Sequence, residues 1–401
     1  MSEPTSGPLE GIRVIDLTSV VMGPLATQIF GDLGADVITI ENPRGTLSRV
    51  MTDGPHPQLS GIALNLLRNK RNVVLDLKTD AGRDTLLQIV STAEVLVTNL
   101  RPATLARLGL TYPDIAAVRP DIVYCQAQGY PSDSPSADAP AYDDIIQAGT
   151  GLPDTFRRMT GEPQFVPTLI ADKVSGLTIA YAVMAALLHR ARTGEGQRVE
   201  VPMVDVMTAF TLVEHAAAAT ARPPQGPPGY ERILNPERRP QRTSDGWISV
   251  LPYTRGNYED VFAAGGRHDL VDDERIHTPR ARIEHANSLY RDVADILTQR
   301  TTAEWMAFCR GSDIPVSGVP TLDELIDDLP EDVHPVVGAY KVLPQPVRFS
   351  RATGPTVHRP AALSGEHTDE VLAEVRDSLS TGRAEPGTPA TSGADPHQEA
   401  R

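Results

Sequence analysis

Cysteine and basic residues are both scarce in this chain. Cys125 and Cys309 are the only cysteines in 401 residues, too few for the disulfide framework of a small secreted protein. Lysine and arginine total 37 against 52 aspartate and glutamate residues, which gives a net charge of -15. That balance argues against the basic surface that nucleic acid requires. We therefore expect a cytoplasmic protein with no nucleic-acid partner.

Targeting, membrane and metal-binding signals are also missing. The opening residues, MSEPTSGPLEG, have neither the basic nor the apolar region of a signal peptide. The longest apolar run, residues 177–188, is too short to cross a bilayer, so we expect no membrane partner. The histidines and cysteines show no HExxH or CxxC spacing, and we expect no metal site.

Short apolar runs alternate with helical patterns in the first part of the chain. Strands are predicted at residues 12–17, 36–41, 73–76, 95–98 and 122–126, with helices at 24–33, 81–92 and 104–108. This alternation predicts an α/β fold with a doubly wound, mostly parallel sheet. Ligands bind such sheets at the carboxyl ends of strands, where Asn42, Lys78, Asn99 and Gln128 would lie. A dinucleotide is not expected, because TSVVMGPLA after the first strand lacks the GxGxxG glycines.

Composition also predicts the domain organisation. The Pro/Arg/Gly-rich passage before residue 242 is typical of a linker, and the small polar residues at the end are typical of disorder. We predict a large domain from residues 1–215, a linker at 216–242, a smaller α+β domain at 243–322, a return to the large domain at 323–379 and a disordered tail at 380–401.

A single acidic residue, Asp172, lies between an apolar approach and a long apolar helix pattern. Aspartate is a favoured N-cap, and the pattern predicts a helix that is buried on most sides and stops at Gly194. The positive end of that helix would favour the ionised carboxylate. Two interpretations stay open: Asp172 caps the helix, or it is a carboxylate nucleophile on a rigid element.

Six sequence blocks occur in a fixed order along the chain. They are LEGIRVIDLTSVVMGPLATQIFGDLGADVITIENPRG (9–45), NKRNVVLDLK (69–78), VTNLRPATLARLGL (97–110), PAYDDIIQAGTG (140–151), the Asp172 block (166–206) and GEHTDEVL (365–372). In this order they resemble the class III coenzyme A-transferases, a superfamily that includes formyl-CoA:oxalate and carnitine CoA-transferases and the alpha-methylacyl-CoA racemases. The resemblance implies a large domain built from both chain ends, a small middle domain and an interlocked homodimer.

The resemblance also implies an activity and a set of site residues. The expected reaction moves CoA from an acyl-CoA thioester to a carboxylic acid through a covalent intermediate on Asp172, with no tightly bound cofactor. The implied CoA contacts are Leu75, Lys78, Asn99, Leu100, Arg101, Arg107, Ala141, Tyr142 and Asp143. Lys70 and Arg71 are further basic candidates.

Some positions depart from the family pattern. Val21 replaces a glutamine of the formyl-CoA:oxalate enzymes, which favours a larger or less polar acyl group, and Asn42 replaces an arginine. The racemase branch carries a histidine base where this chain has Tyr142, and tyrosine is a poor base at neutral pH. A transferase is therefore favoured over a racemase, and a CoA-binding protein without catalysis is the non-enzymatic alternative.

Overall fold

The structure is a computed structural model that describes residues 7–350 and 357–381. Most of the segment predicted as a disordered tail, residues 382–401, lies outside the described residues.

A six-stranded sheet in the order β3-β2-β1-β4-β5-β6 forms the centre of the large domain, and every pair of neighbouring strands is parallel. The strands are β1 (Arg13–Leu17), β2 (Asp36–Glu41), β3 (Lys70–Val74), β4 (Val95–Thr98), β5 (Val123–Gln128) and β6 (Gln197–Pro202). The strand order reverses between β1 and β4, which leaves a crevice at their carboxyl ends. The predicted doubly wound α/β fold is confirmed. β6 was not predicted, and β3 begins three residues before the predicted strand.

Helices cover both faces of this sheet. They are α1 (Met22–Asp32), α2 (Gly61–Leu66), α3 (Asp80–Val90), α4 (Pro102–Leu108), α5 (Tyr112–Val118), α6 (Asp143–Gly149), α7 (Leu152–Thr160), α8 (Ile170–Thr193) and α9 (Met203–His215). Successive strand residues point to opposite faces, so Val14 belongs to the core beneath α1 and α8 whereas Ile15 belongs to the core on the other side. The sheet is therefore buried on both faces.

The C-terminal helix α15 (Thr368–Ser380) packs on the second face of the sheet, where Val371 and Val375 join the core. Arg71 holds it there by donating hydrogen bonds to Glu370 (3.1 Å) and Glu374 (2.8 Å). Helix α15 therefore packs against a sheet whose strands come from residues 13–202.

Lys70 of β3 is fully buried beside β1. Its Nζ donates hydrogen bonds to Asp16 Oδ2 (3.0 Å), to the Pro24 carbonyl (2.9 Å) and to Thr27 Oγ1 (2.7 Å). Burial lowers the pKa of Lys70, and the Asp16 carboxylate opposes that shift. Lys70 and Arg71 are therefore buried residues that form ion pairs, and neither is among the residues that line the two cavities described below.

The middle of the chain forms a smaller α+β unit. An antiparallel sheet of β7 (Gln241–Arg242), β8 (Trp247–Val250) and β9 (Val316–Gly318) packs with α10 (Arg255–Ala264), α11 (Pro279–Glu284), α12 (Ala286–Leu297) and α13 (Thr302–Gly311). Its core contains Ile248, Phe262, Leu289 and Trp305. β7 lies within the segment predicted as linker. After this unit come α14 (Leu322–Asp327) and a hairpin of β10 (Glu331–His334) and β11 (Gly338–Lys341).

Helix α8 differs from its prediction in three respects. It starts at Ile170 with Leu169 as its N-cap, so Asp172 lies in the first turn and is not the cap. Only one face is buried: Ile179 and Val183 lie in the core, whereas Leu177 and Tyr181 are more than half exposed. With 24 residues the helix is also long and apolar enough to cross a membrane, although half of its apolar window is buried inside the protein. That burial is typical of a core helix.

Candidate active site

Two cavities open at the carboxyl ends of the parallel strands, and Ser19 in the turn between β1 and α1 lines both. The larger has a volume of about 700 Å³ and lies over the ends of β1, β2 and β3. The smaller, about 200 Å³, lies beside the ends of β4 and β5 and the start of α8. Their position matches the crevice that the strand order creates.

The larger cavity combines apolar walls with cations. Leu75, Leu100 and five more leucine or isoleucine side chains line the cavity together with Lys78, Arg83 and Arg107. The cations come from three separate places: the loop after β3, the first turn of α3 and the last turn of α4. Such a lining suits a ligand with an apolar or aromatic part and several phosphate charges.

The turn that separates the cavities is held in a strained conformation. Val20 has a φ of 72°, in the left-handed region that a β-branched residue rarely adopts. Asn99 fixes the preceding residue, because its Oδ1 accepts from the Ser19 N–H (3.1 Å) and its Nδ2 donates to the Ser19 carbonyl (2.9 Å). Ser48 Oγ donates to the Val20 carbonyl at 2.6 Å. These bonds keep the backbone of the turn in place between the cavities.

Asp172 is the only carboxylate among the described residues that line the smaller cavity. Its side chain is 7 % exposed and accepts no hydrogen bond in the described part of the chain. Its backbone N–H donates to Asp143 Oδ1 at 3.0 Å, and Asp143 Oδ2 accepts from Gln147 Nε2 at 2.6 Å. The first residue of α6 therefore supplies the side-chain acceptor at the start of α8.

Burial, together with the nearby Asp143 carboxylate, raises the pKa of Asp172 to about 7. The expectation that the helix N-terminus favours the ionised carboxylate is therefore wrong in the direction of the pKa shift. With a pKa of about 7, Asp172 titrates near neutral pH, and its ionised fraction increases as pH rises.

The small residues after Asp172 serve packing. A Cβ on Gly176 would lie 2.8 Å from the Met22 carbonyl, so glycine allows α1 to approach α8 closely. Ser175 is fully buried, and its hydroxyl has no hydrogen-bond partner in the described residues.

The predicted site residues divide between the cavities. Leu75, Lys78, Leu100 and Arg107 line the larger one, and Asn99, Arg101, Ala141 and Tyr142 line the smaller one with Asp172. Asp143 lines neither and lies buried behind Asp172. Val21, which was expected to shape the acyl site, is also buried and lines neither cavity; its neighbours Val20 and Met22 line the smaller one.

Sequence reasoning missed Arg83 and Met203. Met203 directly follows β6, so recognising the alternating pattern QRVEV as a strand would have placed it at the sheet edge. Arg83 lies inside a helix, and no local signal distinguishes it from a surface arginine.

Other catalytic groups are not assembled in the described residues. No group of three or more His, Cys, Asp or Glu side chains in residues 7–350 and 357–381 could hold a metal ion. Both cysteines are free and buried, and burial raises the pKa of Cys125 to about 12 and that of Cys309 to about 11. Neither thiol is ionised at neutral pH.

Comparison with known proteins identifies the family. The profile described as CoA-transferase family III matches residues 9–368. The chain is 31% identical to a probable fatty acyl-CoA transferase, Rv3272, of Mycobacterium tuberculosis, over 92% of this chain and 99% of that protein. It is 31% identical to the succinate–glutarate CoA-transferase of Agrobacterium fabrum (92% and 96%) and 28% identical to the formyl-CoA:oxalate CoA-transferase of Escherichia coli O157:H7 (92% and 96%).

Solved structures agree with this result. A crystal structure of Rv3272 superposes with a TM-score of 0.77 at 29% identity and covers 91% of this chain and 99% of that one. A CAIB/BAIF family protein from Brucella suis gives a TM-score of 0.79 at 26% identity, with 92% and 100% coverage. The chain belongs to CoA-transferase family III and is an enzyme of this class. The substrates of such enzymes are CoA thioesters and carboxylates.

Proposed function

We propose that this enzyme transfers CoA from an acyl-CoA to a carboxylic acid through a covalent intermediate on Asp172. The observation that supports the proposal most strongly is the arrangement of the two cavities. A large cavity with three cations meets, at Ser19, a small cavity with a single buried carboxylate. A phosphorylated carrier in the first would direct its thioester end toward the carboxylate in the second.

The reaction has four steps and needs one carboxylate from the enzyme. Asp172 attacks the thioester carbonyl, the C–S bond breaks and a mixed anhydride forms as CoA thiolate leaves. The thiolate attacks the aspartyl carbonyl, which releases the donor acid and leaves an aspartyl-CoA thioester. The acceptor carboxylate attacks that thioester, giving a second mixed anhydride and free thiolate. The thiolate then attacks the acceptor's acyl carbon, which forms the new acyl-CoA and restores the Asp172 carboxylate.

The surroundings of Asp172 suit a nucleophile. A carboxylate with a pKa of about 7 is more basic than an exposed one, and nucleophilicity follows basicity. The absence of hydrogen-bond donors to its oxygens in the described residues leaves its lone pairs free for attack. Asp143 holds the Asp172 backbone through a 3.0 Å hydrogen bond, so the nucleophile sits on a fixed turn.

We assign the CoA contacts by cavity. Lys78, Arg83 and Arg107 would bind the phosphates, and Leu75 and Leu100 would supply apolar contacts for the adenine, since all five line the larger cavity. Arg101, Ala141 and Tyr142 would surround the thioester end, with Asn99 holding the turn between the two sites.

The active unit is proposed to be an interlocked homodimer. Large apolar side chains are exposed along α8 and α9, where Val213 is 85 % exposed and Tyr181 62 %. Large exposed apolar side chains on two packed helices are typical of a subunit interface. Light scattering at nanomolar concentration would measure the dimer, and slow subunit exchange between tagged and untagged protein would indicate interlocking. A cytoplasmic location is proposed because both cysteines are free.

Trapping the intermediate tests the mechanism. Wild-type enzyme incubated with an acyl-CoA and then hydroxylamine should carry a hydroxamate on the peptide that contains Asp172, as read by mass spectrometry. Asp172→Ala should lose transfer by orders of magnitude yet bind CoA within a few-fold of wild type. Asp144→Ala, an exposed acid beside Asp143, is the matched control. More than about a tenth of wild-type turnover in Asp172→Ala would contradict the assignment.

A substrate screen completes the test. The names of the relatives refer to fatty acyl, succinate, glutarate, formyl and oxalate groups, so a panel of acyl-CoA donors and carboxylic acids should span these sizes. Exchange of the α-proton for deuterium without transfer would identify a racemase, and CoA binding without either activity would indicate a non-catalytic protein.

A further inference from the structure

A third cavity lies in the small α+β unit. It has a volume of about 250 Å³ and shares no lining residue with the two cavities at the parallel sheet. Its walls come from the segment before β7, the loop between β8 and α10, and helices α10, α11 and α12. Four tyrosines and two arginines dominate the lining: Tyr230, Arg232, Tyr253, Tyr258, Arg282 and Tyr290.

Tyr258 presents an unpartnered polar group to this cavity. The residue is buried, with 4 % of its surface exposed, and its hydroxyl has no hydrogen-bond partner in the described residues. Burial raises the pKa of Tyr258 to about 12, Tyr290 adds to the rise, and Arg282 and Arg232 oppose it. The hydroxyl therefore stays protonated and is a hydrogen-bond donor close to two cations.

The two arginines have no carboxylate partner in the described part of the chain. Arg282 donates one hydrogen bond to the Ile276 carbonyl (2.7 Å), and its other N–H groups have no acceptor there. Arg232 donates side-chain hydrogen bonds to Tyr230 and Tyr290, and its guanidinium carbon lies 5.9 Å from the centre of the Tyr253 ring. By contrast, Arg280 on the same helix as Arg282 pairs with Glu284 at 2.7 Å. In a chain with a net charge of -15, two arginines without acids in one cavity leave a local excess of positive charge.

We propose that this cavity binds a small carboxylic acid with a flat, apolar body. The guanidinium groups and the Tyr258 hydroxyl supply donors for the carboxylate, and the tyrosine rings supply faces for the body. No Asp or Glu lines the cavity to repel an anion. A volume of 250 Å³ lies below the range of about 300–1,000 Å³ typical of sites for drug-sized ligands, so the ligand is compact. This inference goes beyond the proposed function and does not depend on Asp172.

Benzoate is a suitable probe, and benzamide is its uncharged counterpart. Calorimetry on the full-length protein with saturating CoA should show benzoate binding, with benzamide at least about tenfold weaker because it lacks the charge. Tyr258→Phe removes only the hydroxyl and should weaken benzoate binding by about ten- to a hundred-fold, the range expected for one hydrogen bond to a charged group. Arg282→Met should have an effect of at least the same size, whereas Arg280→Met is the matched control and should have none.

Three results would overturn the proposal: no benzoate binding to the wild type, equal binding to Tyr258→Phe, or inorganic phosphate binding as tightly as benzoate. Equal binding of phosphate would show that the cavity is a general anion site to which the tyrosine rings contribute no binding energy. If Arg282→Met fails to fold, the Tyr258→Phe comparison decides alone. Because binding is measured directly, loss of CoA transfer in an Asp172 variant has no bearing on the outcome.

Discussion

Replacing Asp172 by asparagine is expected to abolish CoA transfer and to stabilise the folded protein at alkaline pH. The substitution keeps the shape of the side chain and removes the one negative charge that lines the smaller cavity. Burial, with Asp143, raises the pKa of Asp172 to about 7 in the folded protein. In the unfolded chain an aspartate has a pKa of about 3.9. Ionising Asp172 therefore opposes folding, and asparagine avoids that cost.

The sign and size of the effect follow from these pKa values. Because the folded pKa is the higher one, the folded state binds more protons between about pH 4 and pH 7, and its stability falls as pH rises through that window. A difference of about three pKa units corresponds to about 4 kcal/mol. We expect the free energy of unfolding of Asp172→Asn to exceed that of wild type by about 4 kcal/mol at pH 8. The difference should be about 1.5–2 kcal/mol at pH 5 and less than about 1 kcal/mol at pH 4.

Urea unfolding at these three pH values provides the measurement. Circular dichroism should be the main signal, because Trp247 and Trp305 both lie in the small unit and their fluorescence does not report on the large domain. Asp144→Asn removes an exposed charge from the adjacent helix and should show no comparable pH dependence. Equal stability of Asp172→Asn and wild type at pH 8, or the same gain at pH 4 and pH 8, would refute the argument.

Three further predictions address other parts of the molecule. Asp143→Asn removes a negative charge beside Asp172, so the pKa of Asp172 falls and the acidic limb of the pH–rate profile moves to lower pH; an unmoved limb contradicts this. Arg107→Ala should weaken CoA binding about ten- to a hundred-fold and reduce its salt dependence in titrations, while the exposed Arg192→Ala should not. Lys70→Met leaves a buried carboxylate unpaired and should destabilise the protein by about 3–5 kcal/mol in urea, and a loss below about 1 kcal/mol would be inconsistent with the buried ion pair.

The parallel sheet could be predicted where the centre of a strand is apolar. Residues 36–41 and 95–98 form strands with the predicted bounds, and their apolar centres are buried because the sheet is covered on both faces. β3 starts with Lys70, Arg71 and Asn72, which are polar yet buried. The partner of Lys70, Asp16, lies 54 residues away in sequence, so no local pattern reveals that the lysine is neutralised. β6 is an edge strand. Its sequence alternates polar and apolar residues that are mostly half-buried, and such a mixed sequence resembles that of a loop.

The candidate site also depends on contacts between residues that are distant in sequence, which local patterns do not reveal. The sequence identified Asp172, and eight of the nine predicted CoA contacts line one of the two cavities, because they follow strands or lie in recognisable blocks. It misplaced the helix start, since the side-chain acceptor for the Asp172 amide is Asp143, 29 residues earlier. A local N-cap rule examines only the residues next to the helix. The ionisation of Asp172 was mispredicted for the same reason, because burial and Asp143 both depend on the tertiary structure.

The energetics of the smaller cavity favour a chemical role for Asp172 over a capping role. A carboxylate that only stabilised a helix would be exposed or hydrogen-bonded, since either arrangement keeps its pKa low. Asp172 is buried, lies beside a second acid and accepts no hydrogen bond in the described residues. Val20 in the same cavity has a left-handed backbone that costs on the order of 1–3 kcal/mol. Two unfavourable features in one 200 Å³ space reduce the stability of the fold, and such features concentrate where a protein binds or transforms its substrate.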